Sequence, residues 1–128
     1  MATLHTLASA RQLLPEARRR VAELTATVDR VRELVAVAGG DAPPPGVRAE
    51  AKAAEASADE QADWFPRRGI QLKGLDPALL DFPARGMQGG QPLHVLLCWC
   101  DGEDDITTFH TPEAGFAGRR PVDELDDV

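Results

Sequence analysis

The feature that most constrains this chain is an apolar repeat of the coiled-coil type in its first third. From Leu14 to Ala38, apolar residues recur at alternating spacings of three and four positions. Their positions are Leu14, Ala17, Val21, Leu24, Val28, Val31, Val35 and Ala38. Because a helix completes a turn in about 3.6 residues, this spacing keeps a narrow apolar stripe on one side of a long helix. The repeat therefore predicts a long helix that packs against another helix.

Two residues mark where this helical region begins. Thr6 can cap a helix because its side-chain oxygen accepts a hydrogen bond from a backbone N–H of the first turn. Pro15 suits the first turn of a helix, where its missing N–H costs little. We therefore expect a short helix after Thr6, a kink or break near Leu14, and the long helix after the break.

A turn must follow the repeat. Gly39 and Gly40 precede the segment DAPPPG, and proline cannot donate a hydrogen bond to a continuing helix. Residues 47–65 then combine high helix propensity with regularly spaced alanines, which allow two helix backbones to approach closely. A short connection makes neighbouring helices antiparallel. Residues 6–65 are thus predicted to hold a short helix followed by a long antiparallel helical hairpin.

After the hairpin the chain changes to short runs of strand-forming residues. The runs are GIQLKGL, ALLDFPA, PLHVLLCWC and ITTFHT, and turn-forming segments such as DP, RGMQGGQ and DGEDD separate them. The prediction is an α+β fold in which a small antiparallel sheet of three or four strands, residues 69–120, packs on the hairpin. Residues 121–128 have few apolar side chains and are expected to form a frayed acidic tail.

Composition indicates a single globular domain over residues 1–128. A chain of this length can bury one core, and 43% hydrophobic with 27% charged residues are globular values. No apolar run approaches the roughly 20 residues that cross a bilayer, and the N-terminus does not have the pattern of a signal peptide. Cys98 and Cys100 lie too close on one strand for disulfide geometry. These features predict a cytoplasmic protein with free thiols.

Charge argues against nucleic acid as a partner. The chain carries a net charge of −7, made of +2 in residues 1–40 and −9 in the remainder. An acidic surface repels phosphate backbones. The basic run of Arg18, Arg19 and Arg20 could bind phosphate, but it is more simply explained by a helix face that is exposed to solvent. We therefore expect neither nucleic acid nor a membrane as partner, but a second copy or another protein.

The segment LLCWCDGEDDITTFH, residues 96–110, concentrates side chains that can do chemistry. Strand alternation places Cys98 on one face and Leu97 on the other, which should meet the helices. If Asp101 and Gly102 form a two-residue turn, His110 is excluded from the cysteine face. If DGEDD is a five-residue loop, Leu97 pairs with the residue before His110 and Cys98 lies diagonal to His110. We favour this register because consecutive aspartates are poor strand residues.

In the favoured register, Cys98 and His110, with His94 or Cys100, could bind a soft or borderline divalent ion such as zinc. Alternatively, Cys98 is a small buried apolar residue and His110 forms hydrogen bonds at a strand end. A third reading makes Cys98 a nucleophile beside Glu103 and His110. The acidic loop argues against a nucleophilic Cys98. A reactive thiol needs a lowered pKa, and neighbouring carboxylates raise it.

Arg119 is another candidate for ligand binding. It follows GFAG, whose glycines permit a tight return of the chain towards the acidic loop. A bond from Arg119 to Glu103 or Asp81 would be structural, although the same guanidinium could receive a carboxylate or phosphate ligand. Asp81, within LDFPA, is expected to form a hydrogen bond with a turn. The candidate ligand-binding residues are therefore Asp81, Glu103 and Arg119.

Several motifs, in this order, resemble one bacterial family. The chain is similar to the pattern of domain of unknown function 2203 in the motifs HTLASARQL, LPEARRRV, GIQLKGLDPALLDFPA, LLCW, GE, FH and GFAGRRP. The pattern falls on Leu14, Pro15, Gly69, Lys73, Asp81, Phe82, Pro83, Cys98, Trp99, Glu103, His110, Gly115, Phe116 and Arg119. This chain has Cys100 where the family usually has a basic residue, and Phe109 where it has tryptophan. The resemblance covers nearly the whole chain and implies no activity, because the family has none assigned.

Two functions of different classes follow from the sequence. The first is a non-enzymatic interaction or scaffolding module that dimerises through the hairpin, because one thin alanine-rich helix leaves part of the apolar repeat uncovered. The second is a metal- or small-ligand-binding protein, enzymatic or not, that uses Cys98, Glu103, His110 and Arg119. The sequence favours the first.

Overall fold

In a computed structural model, which describes residues 4–128, two long helices pack on one face of an antiparallel sheet. Helix α1 spans Leu7–Ala38 and helix α2 spans Val47–Arg67. The two helices contact each other and are joined by residues 39–46, so the predicted helical hairpin is confirmed. No helix within the described part of the chain is long and apolar enough to cross a bilayer.

Helix α1 begins directly after the N-cap residue that the sequence predicts. The Thr6 hydroxyl oxygen accepts a hydrogen bond from the Ser9 backbone N–H at 3.0 Å. In return, the Thr6 backbone N–H donates to the Ser9 hydroxyl oxygen at 2.9 Å. Two N–H groups that lack partners within the helix are thereby satisfied, so Thr6 is the N-cap as predicted.

The expected short first helix is wrong, because α1 runs through Pro15 without interruption. Proline removes one backbone hydrogen bond of the helix. On either side of it, however, Ala10, Leu14 and Ala17 are all buried in the same core. Packing holds both segments in one helical line, and tertiary contacts supply most of the stability of a helix in a protein. The missing hydrogen bond is therefore tolerated without a break.

The apolar repeat is buried only in its first half. Val21 and Leu24 belong to the core that also contains sheet residues. Val28 and Val31 are half-buried, and Val35 is 48% exposed. The second half of the stripe is therefore less covered than the first, and the neighbouring helix α2 is rich in alanine.

The sheet contains five strands rather than three or four. They are β1 (Gln71–Leu75), β2 (Ala78–Gln88), β3 (Gln91–Cys100), β4 (Thr108–His110) and β5 (Arg120–Pro121), in the spatial order of the sequence. Each strand is antiparallel to the next. Strand β5 was missed because it is two residues long and contains a proline, so it carries no alternating pattern.

Segments from both ends of the described chain complete one edge of β2. Strand β1 pairs with β2 only as far as Asp81, which leaves the later part of that edge free. The His5 backbone N–H donates to the Pro83 carbonyl there at 2.7 Å. The Met87 N–H donates to the Asp127 carbonyl at 2.8 Å. An otherwise open strand edge is therefore covered.

The expected frayed acidic tail is also wrong. Val122 and Leu125 are each 8% exposed and belong to the main core. The Leu7 backbone N–H donates to the Val128 carbonyl at 3.0 Å. Two apolar residues of the acidic segment are therefore buried in the core, and backbone hydrogen bonds hold its end.

The two faces of β3 are as predicted. Val95, Leu97 and Trp99 lie in the core beneath the helices, and Cys98 lies on the opposite face. Leu97 pairs with Phe109 across to β4, so the favoured register with the five-residue loop is confirmed. This register turns His110 to the same face as Cys98.

Candidate functional site

The sheet face turned away from the helices carries a buried polar group of three residues, Asp81, Cys98 and His110, here called the Asp–Cys–His cluster. Asp81 on β2 lies directly opposite Cys98 on β3. His110 on β4 lies opposite Leu96, two residues before Cys98. Directly opposed residues of antiparallel strands point to the same side of a sheet, about 5 Å apart. Three adjacent strands therefore bring the three side chains together.

The cluster is compact and almost inaccessible to solvent. The exposed fractions of Asp81, Cys98 and His110 are 4%, 1% and 5%. His110 Nε2 lies 3.2 Å from each carboxylate oxygen of Asp81, and one donor atom from each of the three residues lies within 4.8 Å of the others. The predicted pairing of Cys98 with His110 on one face is thus present, with Asp81 as an additional member.

The imidazole of His110 has acceptors at both nitrogens. Nδ1 lies 2.9 Å from the backbone carbonyl oxygen of Thr111, and Nε2 faces the Asp81 carboxylate. A neutral imidazole carries one N–H, so it satisfies only one of these two contacts. A doubly protonated ring, a protonated Asp81 carboxyl group that donates to Nε2, or a cation between Nε2 and the carboxylate would satisfy both.

The Cys98 thiol is a weak acid in this environment. Burial first, and then the adjacent Asp81 carboxylate, raise the pKa of Cys98 to about 12, and the more distant Arg119 opposes this only in part. The thiol therefore keeps its proton at neutral pH. A cysteine nucleophile needs the opposite shift, so the geometry disfavours that reading. A bound cation would favour the thiolate instead, because its positive charge offsets the carboxylate.

The cluster opens onto a cavity of about 670 Å³ on the free face of the sheet. Apolar side chains form most of its lining, among them Leu79, Pro83, Leu96 and Phe116. The polar residues at its edge are Gln71, Lys73 and His94. The cluster therefore lies at the base of an apolar recess that is large enough for a small organic molecule.

Glu103 and Arg119 bind each other outside this cavity. Arg119 Nη1 donates to Glu103 Oε2 at 3.1 Å, and Glu103 Oε1 accepts from the Cys100 backbone N–H at 2.6 Å. The guanidinium carbon of Arg119 lies 4.1 Å from the ring centre of Phe116. Both charged groups therefore serve to hold the acidic loop and the following turn in place. This is the structural alternative foreseen for Arg119, with Glu103 rather than Asp81 as its partner.

Of the sequence-based candidates, Cys98, His110 and Asp81 come together and the others do not. His94 is an exposed residue at the edge of the cavity, and Cys100 is half-buried beside the Glu103 carboxylate. Asp81 was assigned to a turn by the sequence but lies within β2. Its carboxylate faces His110 rather than a turn.

A sequence signal for the position of Asp81 exists in the turn between β2 and β3. Gly89 and Gly90 have φ values of 58° and 78°, as a two-residue hairpin turn requires. That turn pairs Gln88 with Gln91, and the same ladder brings Asp81 opposite Cys98. Reading RGMQGGQ as a tight glycine turn rather than a long loop would have placed Asp81 in the cluster.

Fold and site together define an α+β protein in which a helical hairpin backs a five-stranded antiparallel sheet and the free sheet face bears a buried Asp–Cys–His cluster. The chain belongs to the family described as an uncharacterized conserved protein (DUF2203), whose model matches residues 3–122. The resemblance seen in the sequence motifs is thereby confirmed. No curated protein and no solved structure matches the chain.

Proposed function

We propose that this protein binds one divalent transition-metal ion, preferably zinc, through Asp81, Cys98 and His110, and that the ion faces the cavity to receive a small ligand. The observation that carries the proposal is the meeting of three buried ligand-type side chains whose donor atoms lie within 4.8 Å of one another. Thiolate, imidazole and carboxylate are all zinc ligands. Three protein ligands with a fourth position open are typical of zinc sites that bind exogenous molecules.

The distances support this assignment. Two ligands of one tetrahedral zinc ion, at bond lengths of about 2.0–2.3 Å, are roughly 3.3–3.6 Å apart. His110 Nε2 and the Asp81 carboxylate oxygens are separated by 3.2 Å. The other nitrogen of His110 contacts a backbone carbonyl, as metal-bound histidines commonly do. An ion would take the place of the proton between Nε2 and the carboxylate.

Charge supports it as well. Asp81 is an acidic side chain held at 4% exposure with no arginine or lysine among its hydrogen-bond partners in residues 4–128. A buried carboxylate is costly unless it is paired. A divalent ion bound by the Asp81 carboxylate, the Cys98 thiolate and a neutral His110 forms a centre without net charge.

Metal content and a cobalt titration test the proposal. Protein purified without a chelating tag should contain, or take up, about one equivalent of zinc, and Co²⁺ should produce a thiolate-to-cobalt absorption band. Cys98→Ser should remove the band and weaken binding by more than about 100-fold, because loss of an outer-sphere partner alone costs about 10–100-fold. Cys100→Ser, on the same strand and face, is the matched control and should bind normally. Absence of stoichiometric uptake by the wild-type protein would refute the proposal.

Self-association through the hairpin is a second candidate function, supported by the exposed end of α1. Val35, a member of the apolar repeat, is 48% exposed there. An exposed apolar side chain at the end of a half-covered heptad repeat supports a coiled-coil contact with a second copy or another protein. Light scattering should then show a dimer that the variant Val35→Asp converts to monomer. Gln12→Asp, at an exposed position near the other end of α1, is the control, and a wild-type monomer at high concentration would contradict this candidate.

A reducing compartment such as the bacterial cytoplasm suits both candidates. Cys98 and Cys100 are free thiols, and a thiolate ligand to a metal is lost when the cysteine is oxidised. The requirement for a reduced Cys98 supports this location. Fractionation of the native host cells would test it.

A further inference from the structure

We propose that the small ligand of this site is an apolar monocarboxylate, whose carboxylate lies between the metal ion and Lys73 and whose hydrocarbon part lies on the apolar lining of the cavity. The inference rests on the metal-binding function proposed above. It deepens that function by naming the chemical class of molecule that the open coordination position receives.

The first observation is the position of Lys73. Gln71 on β1 lies directly opposite Asp81. Lys73 follows two residues later, at the bulge where the pairing of β1 with β2 shifts, and its exposed side chain lines the same cavity. The cavity therefore carries a positive group on its β1 side.

The second observation is that Lys73 has no counter-charge. None of the ion pairs among residues 4–128 includes it, although the chain carries a net charge of −7. The proposed metal centre is neutral, because the two anionic ligands balance the divalent ion. One further negative charge on a bound molecule would therefore be matched by the Lys73 ammonium group. Carboxylate oxygen is also an ordinary ligand of zinc.

The third observation is the apolar character of the remaining lining. Along the strands from the cluster, the sheet face continues with Pro83 and Leu96, and Leu79 and Phe116 add further apolar surface. A sugar or a phosphate ester would need several hydrogen-bond donors or cations. Within residues 4–128, the cavity offers only the amide of Gln71, the imidazole of His94 and Lys73 for that purpose. A hydrocarbon body with one carboxylate satisfies both the charge and the lining.

Absorption of the cobalt-substituted protein tests the inference with hexanoate and benzoate as probes. Each should alter the cobalt spectrum saturably, because a carboxylate at the open position changes the coordination. Hexanoate should bind at least about tenfold more tightly than acetate, since its additional CH₂ groups are buried. Hexanol, which lacks the carboxylate, and inorganic phosphate should bind at least tenfold more weakly than hexanoate.

Lysine variants distinguish specific binding of the carboxylate at Lys73 from nonspecific electrostatic attraction to the protein. Lys73→Met should weaken hexanoate binding at least tenfold while cobalt uptake and its thiolate band stay unchanged. Lys52→Met, which removes an exposed lysine of α2, is the matched control and should leave hexanoate binding unaltered.

The outcomes distinguish this inference from the metal proposal. If cobalt does not bind, both are wrong. If cobalt binds through Cys98 but neither hexanoate nor benzoate alters the spectrum, the carboxylate inference is overturned and the metal proposal stands. A stronger response to phosphate than to hexanoate, or unchanged hexanoate affinity in Lys73→Met, would overturn it too.

Discussion

Cys98 and Cys100 occupy the same face of β3 but differ in chemistry because of what surrounds them. Cys98 is 1% exposed beside Asp81, and Cys100 is half-buried beside Glu103. Burial and the Asp81 carboxylate raise the pKa of the Cys98 thiol to about 12. Only the thiolate reacts with electrophiles, so the metal-free Cys98 should be inert at neutral pH.

Alkylation with iodoacetamide tests this at the residue scale. At pH 7.5 the metal-free protein should be modified at Cys100 at least about tenfold faster than at Cys98, because Cys98 is both buried and protonated. Over the pH range in which the protein stays folded, the Cys98 rate should keep rising with pH, because burial and Asp81 raise the pKa of its thiol to about 12. Peptide mass spectrometry locates the modification. Equal rates at the two cysteines would contradict the assigned environment.

The sequence made Glu103 a candidate ligand-binding residue, whereas its contacts in the structure are structural. Its carboxylate accepts from the Cys100 backbone and from Arg119, and its backbone carbonyl accepts from Trp99 Nε1 at 2.9 Å. Glu103→Ala should lower the free energy of unfolding by about 1–3 kcal/mol, the usual cost of losing such hydrogen bonds. Cobalt binding should be unchanged.

Urea denaturation measures the stability effect, and Asp104→Ala is the control. Asp104 is an exposed acid in the same loop, and its substitution should change the free energy of unfolding by less than about 0.5 kcal/mol. A Glu103→Ala protein of wild-type stability with impaired metal or carboxylate binding would show that Glu103 belongs to the ligand site.

At the scale of elements, β2 is the strand on which the site depends. It pairs with β3 from Leu79 to Gln88, and its other edge is shared by β1, the segment at His5 and the segment at Asp127. Asp81 lies opposite Gln71, the first residue of β1, next to the part of the edge that the other two segments cover. Displacement of those segments would therefore loosen the strand that supplies one ligand.

Deletion of residues 126–128 tests this coupling. It removes the hydrogen bonds between Met87 and residues 126 and 127, the Asp126 carboxylate bond to the Gly89 N–H, and the Leu7 bond to Val128. Because a typical hydrogen bond contributes about 0.5–1.5 kcal/mol net, we expect a loss of about 2–4 kcal/mol in unfolding free energy. Urea denaturation measures it, with Asp123→Ala at an exposed position as the control. Unchanged stability would mean that this edge needs no cover.

On the scale of the whole molecule, the two faces of the sheet have different roles. The helices bury one face of the sheet and create the main core, in which Trp99 and Phe65 are almost fully buried. The opposite face carries the cluster and remains accessible through the cavity. A metal ion bound as proposed would tie β2, β3 and β4 together, so it should stabilise the entire fold.

Thermal or urea unfolding with and without zinc tests the link between metal and fold. With free zinc at 100 times its dissociation constant, the free energy of unfolding should rise by about 2.7 kcal/mol if the unfolded chain binds none. A chelator should reverse the gain. The Cys98→Ser variant should show little response, and the Cys100→Ser control should respond as the wild type does. An equal response in Cys98→Ser would place the ion elsewhere.

Much of the fold could be predicted because it rests on local patterns. The three-and-four spacing from Leu14 identifies α1, and the glycines and prolines after Ala38 end it. Consecutive aspartates in DGEDD identify the loop that sets Cys98 and His110 on one face. The continuity of α1 through Pro15, the strand β5 and the ordered residues 121–128 could not be predicted in this way. Each depends on burial against distant parts of the chain.

The sequence by itself determined the helical hairpin, the two faces of β3 and the approach of His110 to Cys98, because helix periodicity, strand alternation and loop chemistry act over a few neighbouring residues. Only the tertiary structure decided that Asp81 joins them and that Arg119 is held by Glu103. Asp81 and His110 are 29 positions apart, and their contact requires two successive strand pairings to have one register each. Each register is set by a turn in the local sequence, but only the packing of the whole sheet brings the two pairings together and holds these side chains in contact.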